Sequence, residues 1–213
     1  MHSPRAAFAL LLIALATVSA SVPALIKPVH ASRDVGLCGS GRWDVKTLAD
    51  AAAPSIDMRP IDTTVRGLAG TARPAPYLGP TRVAPVETSV FRIDARLIAM
   101  KTERDGDVHL IVGDVDHADE TLIAEFPATA CTVGAPSPDR AAMFWARDWL
   151  RDSCGIATPR LTRLRGAATI TGVGFFDYEH GQYGVAPNAV EVHPVLRFIS
   201  HGCTATRDPQ RRR

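Results

Sequence analysis

Between Asp177 and His193 the chain places two carboxylates and two imidazoles, Asp177, His180, Glu191 and His193, whose donors could hold a divalent metal or form an acid/base pair. Glu191 and His193 are two apart, so on a strand they project from the same face. The stretch between these pairs is rich in glycine and polar groups. Asp177, Tyr178, His180, Gln182, Tyr183 and Asn188 are therefore the candidate ligand-binding residues, with the two tyrosines as stacking surfaces. The commoner employment of such side chains is local: Asp177, Gln182 and Asn188 would bond backbone groups of a Gly-rich loop, and the histidines would cap or pair nearby. A second polar group stands upstream, where His109 follows Asp107 by two residues, Asp114 ends the same run, and Glu125 lies near the end of a later apolar run. Asp114, Asp116, Asp119 and Glu120 miss the spacing of an EF-hand loop and read as a solvated acidic turn.

No dinucleotide fingerprint, P-loop, nucleophile elbow or zinc-finger spacing occurs in the 213 residues. No organic cofactor is expected, and a divalent metal is the one cofactor these side chains could take. The formal charge is +2. Much of the positive excess sits in the terminal run Arg207–Arg213, so the body lacks the basic surface that a nucleic-acid binder needs. Nucleic acid is accordingly not expected as a partner; a small polymer or an envelope component is.

Arg5, the apolar run 6–16 and the small residues ending Val18-Ser19-Ala20 have the form of a secretory leader cut after Ala20. An uncleaved anchor is the rival, since uncharged residues continue to Ile26; with cleavage no transmembrane span remains. The expected compartment is periplasmic or extracellular, where the four cysteines would form two disulfides. Of three pairings, Cys131–Cys154 with Cys38–Cys203 is preferred, on the idea that the connection after Cys131 runs back along the helix that Cys154 ends.

Residues 21–85 hold many prolines and no sustained period, and read as an extended arm. Trp43–Leu48 and Thr63–Leu68 could each be a short packed strand or helical turn, with Trp43 covering part of the core. Regular elements begin at Val86. Alternation predicts strands over Val90–Lys101, Asp107–Asp114 and Thr121–Phe126, the first two joined at Asp105-Gly106. Ser137 as N-cap, Pro138 and Asp139 begin a helix that Gly155 ends, and Ala142, Trp145, Ala146 and Trp149 are its expected buried stripe. Two more strands follow, Ala167–Asp177 and Asn188–Phe198, and residues 201–213 read as a basic disordered tail. Strand, strand, strand, helix, strand, strand is the element order of an OB-fold, so residues 86–200 are expected to form a mainly β, five-stranded Greek-key barrel with one helix between strands three and four. Gly172 and Gly174 suit its bends. In that order strands three and five are neighbours, which would bring Glu125 close to Glu191 or His193. Two-sheet sandwiches and an open α+β sheet are the alternatives.

The stretch Gly172-Val-Gly-Phe-Phe-Asp-Tyr-Glu-His-Gly-Gln-Tyr-Gly-Val-Ala-Pro-Asn-Ala-Val-Glu-Val-His-Pro-Val195, with Gly106-Asp-Val-His-Leu110, Ile123-Ala-Glu-Phe-Pro127 and Trp43-Asp-Val-Lys-Thr-Leu48, resembles a group of uncharacterised secreted bacterial proteins. The resemblance spans about Cys38 to Phe198 and implies export and the barrel, with no mechanism attached. The constellation of staphylococcal-type nucleases, which also use an OB barrel, does not map onto these strands.

Three functions are compatible with these residues: a secreted OB-like binding module for a saccharide or peptide, a metal-dependent hydrolase or phosphodiesterase built on 177–193, and a structural envelope or matrix protein. The first is the sequence-level expectation.

Overall fold

The computed structural model describes residues 38–39, 41–74, 79–178 and 181–206. The leader and His180 lie outside them. Among the described residues the chain is mainly β, with six strands in one sheet and three α-helices.

The stretch read as an arm carries structure of its own: α1 (Trp43–Lys46), β1 (Asp57–Thr63) and α2 (Val65–Ala69). The two segments singled out there are helical turns. Trp43 is half-buried and donates its indole N–H to the Cys131 carbonyl at 3.2 Å, apart from the main core. Then come β2 (Ser89–Thr102), β3 (Val108–Asp114), β4 (Thr121–Phe126), α3 (Ser137–Cys154), β5 (Thr162–Phe176) and β6 (Val190–Ala205). The last two strands exceed the expected spans. Residues 162–166 of the basic connector and 201–205 of the tail are strand, because their backbones pair with each other, as in Leu164↔Ala205.

The sheet order is β1-β2-β3-β4-β6-β5, with β5 paired again to β2. Strands β3, β4, β5 and β6 thus each have two partners and β2 three, since β1 runs parallel beside its first half. The β4–β6 pair is parallel and short, Ile123↔Glu191 and Ala124↔Val192. Strands β5 and β6 are antiparallel, with the register shifting around Gly172. A Cβ there would lie 2.4 Å from the Pro194 carbonyl oxygen, so only glycine permits the approach.

One face of the strands builds the main core: Leu110, Val112, Leu122, Ala124, Phe126, Val190, Val192 and Phe198, joined by Val65 and Leu68 of α2 and by Ala146 and Leu150 of α3. Thr64 caps α2 by accepting from the Gly67 N–H, and Asp114 accepts from Arg66 N and from the amides of Asp116 and His117. The acidic turn is thus a fastener for the chain.

Helix α3 departs from expectation in its rotation. Its buried positions are Met143, Ala146, Leu150 and Cys154, leaving Trp145 and Trp149 59% and 60% exposed. Two ties set this rotation. Arg147 donates to the carbonyls of Phe126, Pro127 and Gly106, and Cys154 is bonded to Cys203. With 147 and 154 inward, a period of 3.6 turns 145 and 149 outward. Its N-cap is Pro136 rather than Ser137.

The disulfides are Cys38–Cys131 and Cys154–Cys203, correcting the expected pairing. An 18-residue helix separates the Cys131 region from Cys154, about 27 Å at its rise per residue, whereas bridged Cα atoms must lie within about 7 Å. Cys154–Cys203 instead ties the end of α3 to β6, and Cys38–Cys131 ties the segment before α1 to the turn that follows β4. Two disulfides fit a protein outside the cytoplasm. Among the described residues no helix is long and apolar enough to cross a membrane.

Candidate metal centre

Strand alternation that sends Leu110, Leu122, Ala124 and Val192 into the core sends their neighbours to the opposite face. The register then aligns them. His109 stands opposite Glu125 across β3 and β4, and Ile123↔Glu191 followed by Ala124↔Val192 brings His193 abreast of Glu125. Phe175 of β5 lies opposite Glu191. Asp107 joins from the turn before β3. The result is a polar cluster spread over three adjacent strands, Asp107, His109, Glu125, Glu191 and His193, every member buried.

Segment α1 roofs this face. Arg42 makes a buried fork with Glu87, and Arg82 pairs with Asp50 while donating to the Val45 carbonyl. These ties set Lys46 over the cluster. Its Nζ lies 3.2 Å from Asp177 Oδ2, 3.7 Å from Glu125 Oε2 and 5.2 Å from the centre of the Phe175 ring.

Glu125 is the hub. One carboxylate oxygen contacts Nε2 of His109 and the other contacts Nδ1 of His193. Nε2 of His193 lies 3.8 Å from Asp107 Oδ2, and Nδ1 of His109 lies 3.2 Å from Glu103 Oε1. The Phe175 ring packs edge-on to His193 at 5.6 Å. Asp107 is half satisfied, since its Oδ1 accepts the Ala128 N–H at 2.6 Å. Among the described residues, no hydrogen bond of acceptable geometry reaches Asp107 Oδ2, either oxygen of Glu191 or Nε2 of His193. Orphaned buried polar atoms are costly, and these four in one cluster require an explanation.

Electrostatics sharpen the point. Burial, then the Glu125 and Asp105 carboxylates, push Asp107 up to about 8. Burial and the neighbouring Glu125 and Asp177 raise Glu191 well above the carboxylate range. Burial works to raise Glu125 as well, but His193, Lys46 and His109 together hold it low. Burial lowers Lys46, yet the carboxylates of Glu125, Asp177 and Glu191 outweigh it and raise the ammonium. Burial depresses His109 against the pull of Glu125 and Glu103. One lysine thus faces four carboxylates in a dry site.

A divalent cation answers both the charge and the orphaned atoms. One donor atom from each of Asp107, Glu125 and His193 lies within 4.8 Å of the others, close enough to share an ion. A mixed imidazole and carboxylate set suits zinc, manganese or iron better than calcium. His109, held between Glu125 and Glu103, has the carboxylate-paired setting of a residue that orients a ligand.

The structure sorts the residues singled out in the sequence. Glu191, His193, His109 and Glu125 converge, and Asp177 reaches the cluster through Lys46. Asn188 does not. It is buried elsewhere, donating to the carbonyls of Leu68 and Thr71, and so fastens α2. Gln182 donates to the Tyr178 carbonyl within the loop, and Tyr178 and Tyr183 are exposed there. Asp107, noted beside His109 in the second polar group, joins the cluster, whereas Asp114 of that group does not. Lys46 was missed; it gave one signal, a charged residue inside the apolar run Val45–Leu48. Comparison with protein families, curated proteins and solved structures returns no match to this chain.

Proposed function

We propose that the protein is an exported, OB-like Greek-key barrel that works as a metal-dependent hydrolase. The circuit β2-β3-β4-β6-β5, with its parallel β4–β6 pair and a helix before β5, supports the barrel. Two disulfides support export. One observation carries the activity: five ligand-type side chains on adjacent strands, buried and with orphaned donors, facing a single lysine. A structural protein would gain stability from apolar residues there.

Asp107, Glu125 and His193 would hold the ion, and His109 would fix the orientation of Glu125. A bound divalent cation would polarise a substrate oxygen and acidify a water. The cluster meets solvent where the side chains of Asp177 and Lys46 are each 11% exposed, at the root of the loop bearing Tyr178 and Tyr183. Substrate would enter there, with the Lys46 ammonium placed to attract an anionic group such as a phosphodiester. The binding-module function thereby becomes a part of the enzyme, the loop supplying the contacts to substrate.

The test is turnover of bis(p-nitrophenyl) phosphate and p-nitrophenyl acetate by the purified exported protein, with Zn²⁺, Mn²⁺ or EDTA. Metal-dependent turnover abolished by EDTA and by Glu125→Gln is expected. Absence of turnover on both probes with every ion, although the ions bind, would overturn the hydrolase assignment and leave a metal-binding module.

A further inference from the structure

Among the described residues, the twelve exposed large hydrophobic side chains are unevenly placed. Phe144, Trp145 and Trp149 of α3, Ile156 and Leu161 of the segment after it, and Ile199 of the flanking β6 make up half of them. Ile156 is 77% exposed. Two grooves of about 390 Å³ each flank the helix, one between Trp145, Trp149 and Ile199, the other between Phe144, Leu150 and Ile156. Apolar surface therefore lies on the crest of α3 and on both sides of it. A peptide or a partner helix would fill one groove. A continuous apolar phase would cover both.

The charge around this face is net positive. Residues 137–166 contain six arginines against three aspartates, with no lysine and no glutamate. Arg151 is paired with Asp148 and Asp152, but Arg160, Arg163 and Arg165, and Arg197 beside Trp149, are exposed and form no ion pair among the described residues. The strand ends carrying Arg163 and Arg165 are joined to the end of α3 through Cys154–Cys203, and Thr206 donates to the Arg163 carbonyl. From that point the chain continues with Arg207 and Arg211–Arg213.

We infer that the α3 face is a membrane-docking surface, whose tryptophans enter the headgroup boundary of an anionic bilayer while the surrounding arginines bind its phosphates. Indole, with an apolar body and one N–H, is the side chain best suited to that boundary. Neither component suffices alone. Partly buried aromatics give weak partitioning, and each basic residue near an anionic surface adds to it in a salt-dependent way. The face is separate from the polar cluster, so docking and the metal centre stand or fall independently.

The experiment is flotation of the purified exported protein with phosphatidylcholine vesicles, with and without phosphatidylglycerol, read together with tryptophan emission. We expect binding to the anionic vesicles only, a blue shift of emission, and release by high salt. Trp145→Ser with Trp149→Ser should lower partitioning at least about tenfold, and Arg197→Glu, beside Trp149 in the same groove, should weaken the preference for anionic lipid. These side chains are exposed, so thermal melts should match wild type. Absence of binding, or binding that neither variant changes, would overturn the inference. So would a dimer, detected by light scattering, that the tryptophan variant dissolves, since the face would then belong to a second copy.

Discussion

Strands β3, β4 and β6 have two faces one residue apart, and the two are built on opposite terms. On the inner face Leu110, Leu122, Ala124, Phe126 and Val192 pack fully buried against each other, every contact favourable and no polar atom to satisfy. On the outer face His109, Glu125, Glu191 and His193 are equally buried, yet their nitrogens and oxygens outnumber their hydrogen-bond partners. Burial alone therefore does not separate scaffold from site. What separates them is whether the buried atoms are content. The inner face stabilises the fold, and the outer face holds a cost that a ligand can repay.

Substitutions on the two faces should differ in kind. Phe126→Ala on the inner face should cost about 3–5 kcal/mol in denaturant melts, the range for a truncated core aromatic. Glu191→Gln on the outer face should leave the metal-free protein within about 1 kcal/mol of wild type, since burial and the neighbouring carboxylates already favour the neutral carboxyl there. Comparable losses at both positions would erase the contrast.

Cation should stabilise only through the outer face. At a hundredfold excess over the dissociation constant, Zn²⁺ or Mn²⁺ should add about 2.7 kcal/mol, visible as a rise in Tm that EDTA reverses. Glu191→Gln with His193→Gln should abolish the rise. A rise of equal size in that double variant would place the ion elsewhere.

The pH dependence follows from the raised carboxyls. A carboxyl whose pKa is higher folded than unfolded binds its proton more tightly in the native state, so stability falls as pH rises toward the folded value. Below about 6.5 the depressed His109 opposes this trend, because its unfolded form gains a proton there. Between that point and about 8 Asp107 sets the slope, and stability of the metal-free protein should drop by about 2 kcal/mol; the raised Glu191 acts in the same direction. With metal the slope should flatten or reverse, because ligands must lose their protons to bind. Urea melts at several pH values, with and without EDTA, measure both slopes.

The smallest effect belongs to the exposed loop. Tyr183→Ala should change stability by less than about 0.5 kcal/mol while weakening substrate binding, so KM should rise with Tm constant. A large fall in Tm would show that the tyrosine packs.

How far all this was legible in the sequence depends on the range of the interaction. Period-2 alternation located β2, β3 and β4 to within a residue or two, and the helix ended at Gly155, whose φ of 90° is open to glycine. Convergence of Glu125 and His193 was legible too, because strand order and alternation together imply it. The rotation of α3 was not. Two overlapping stripes pass through Ala146, and ties from Arg147 and Cys154 to distant strands choose between them. Lys46 and β1 were hidden for the same reason, since each is placed by contacts with residues far along the chain.

The most direct test of the outer face as a metal centre is elemental analysis of the protein purified without chelator, followed by calorimetric titration of the stripped protein with Zn²⁺ and Mn²⁺. The account predicts about one bound ion per chain in wild type and none in Glu125→Gln with His193→Gln, the variant remaining folded. A folded wild type that retains no metal and takes up none on titration would contradict it.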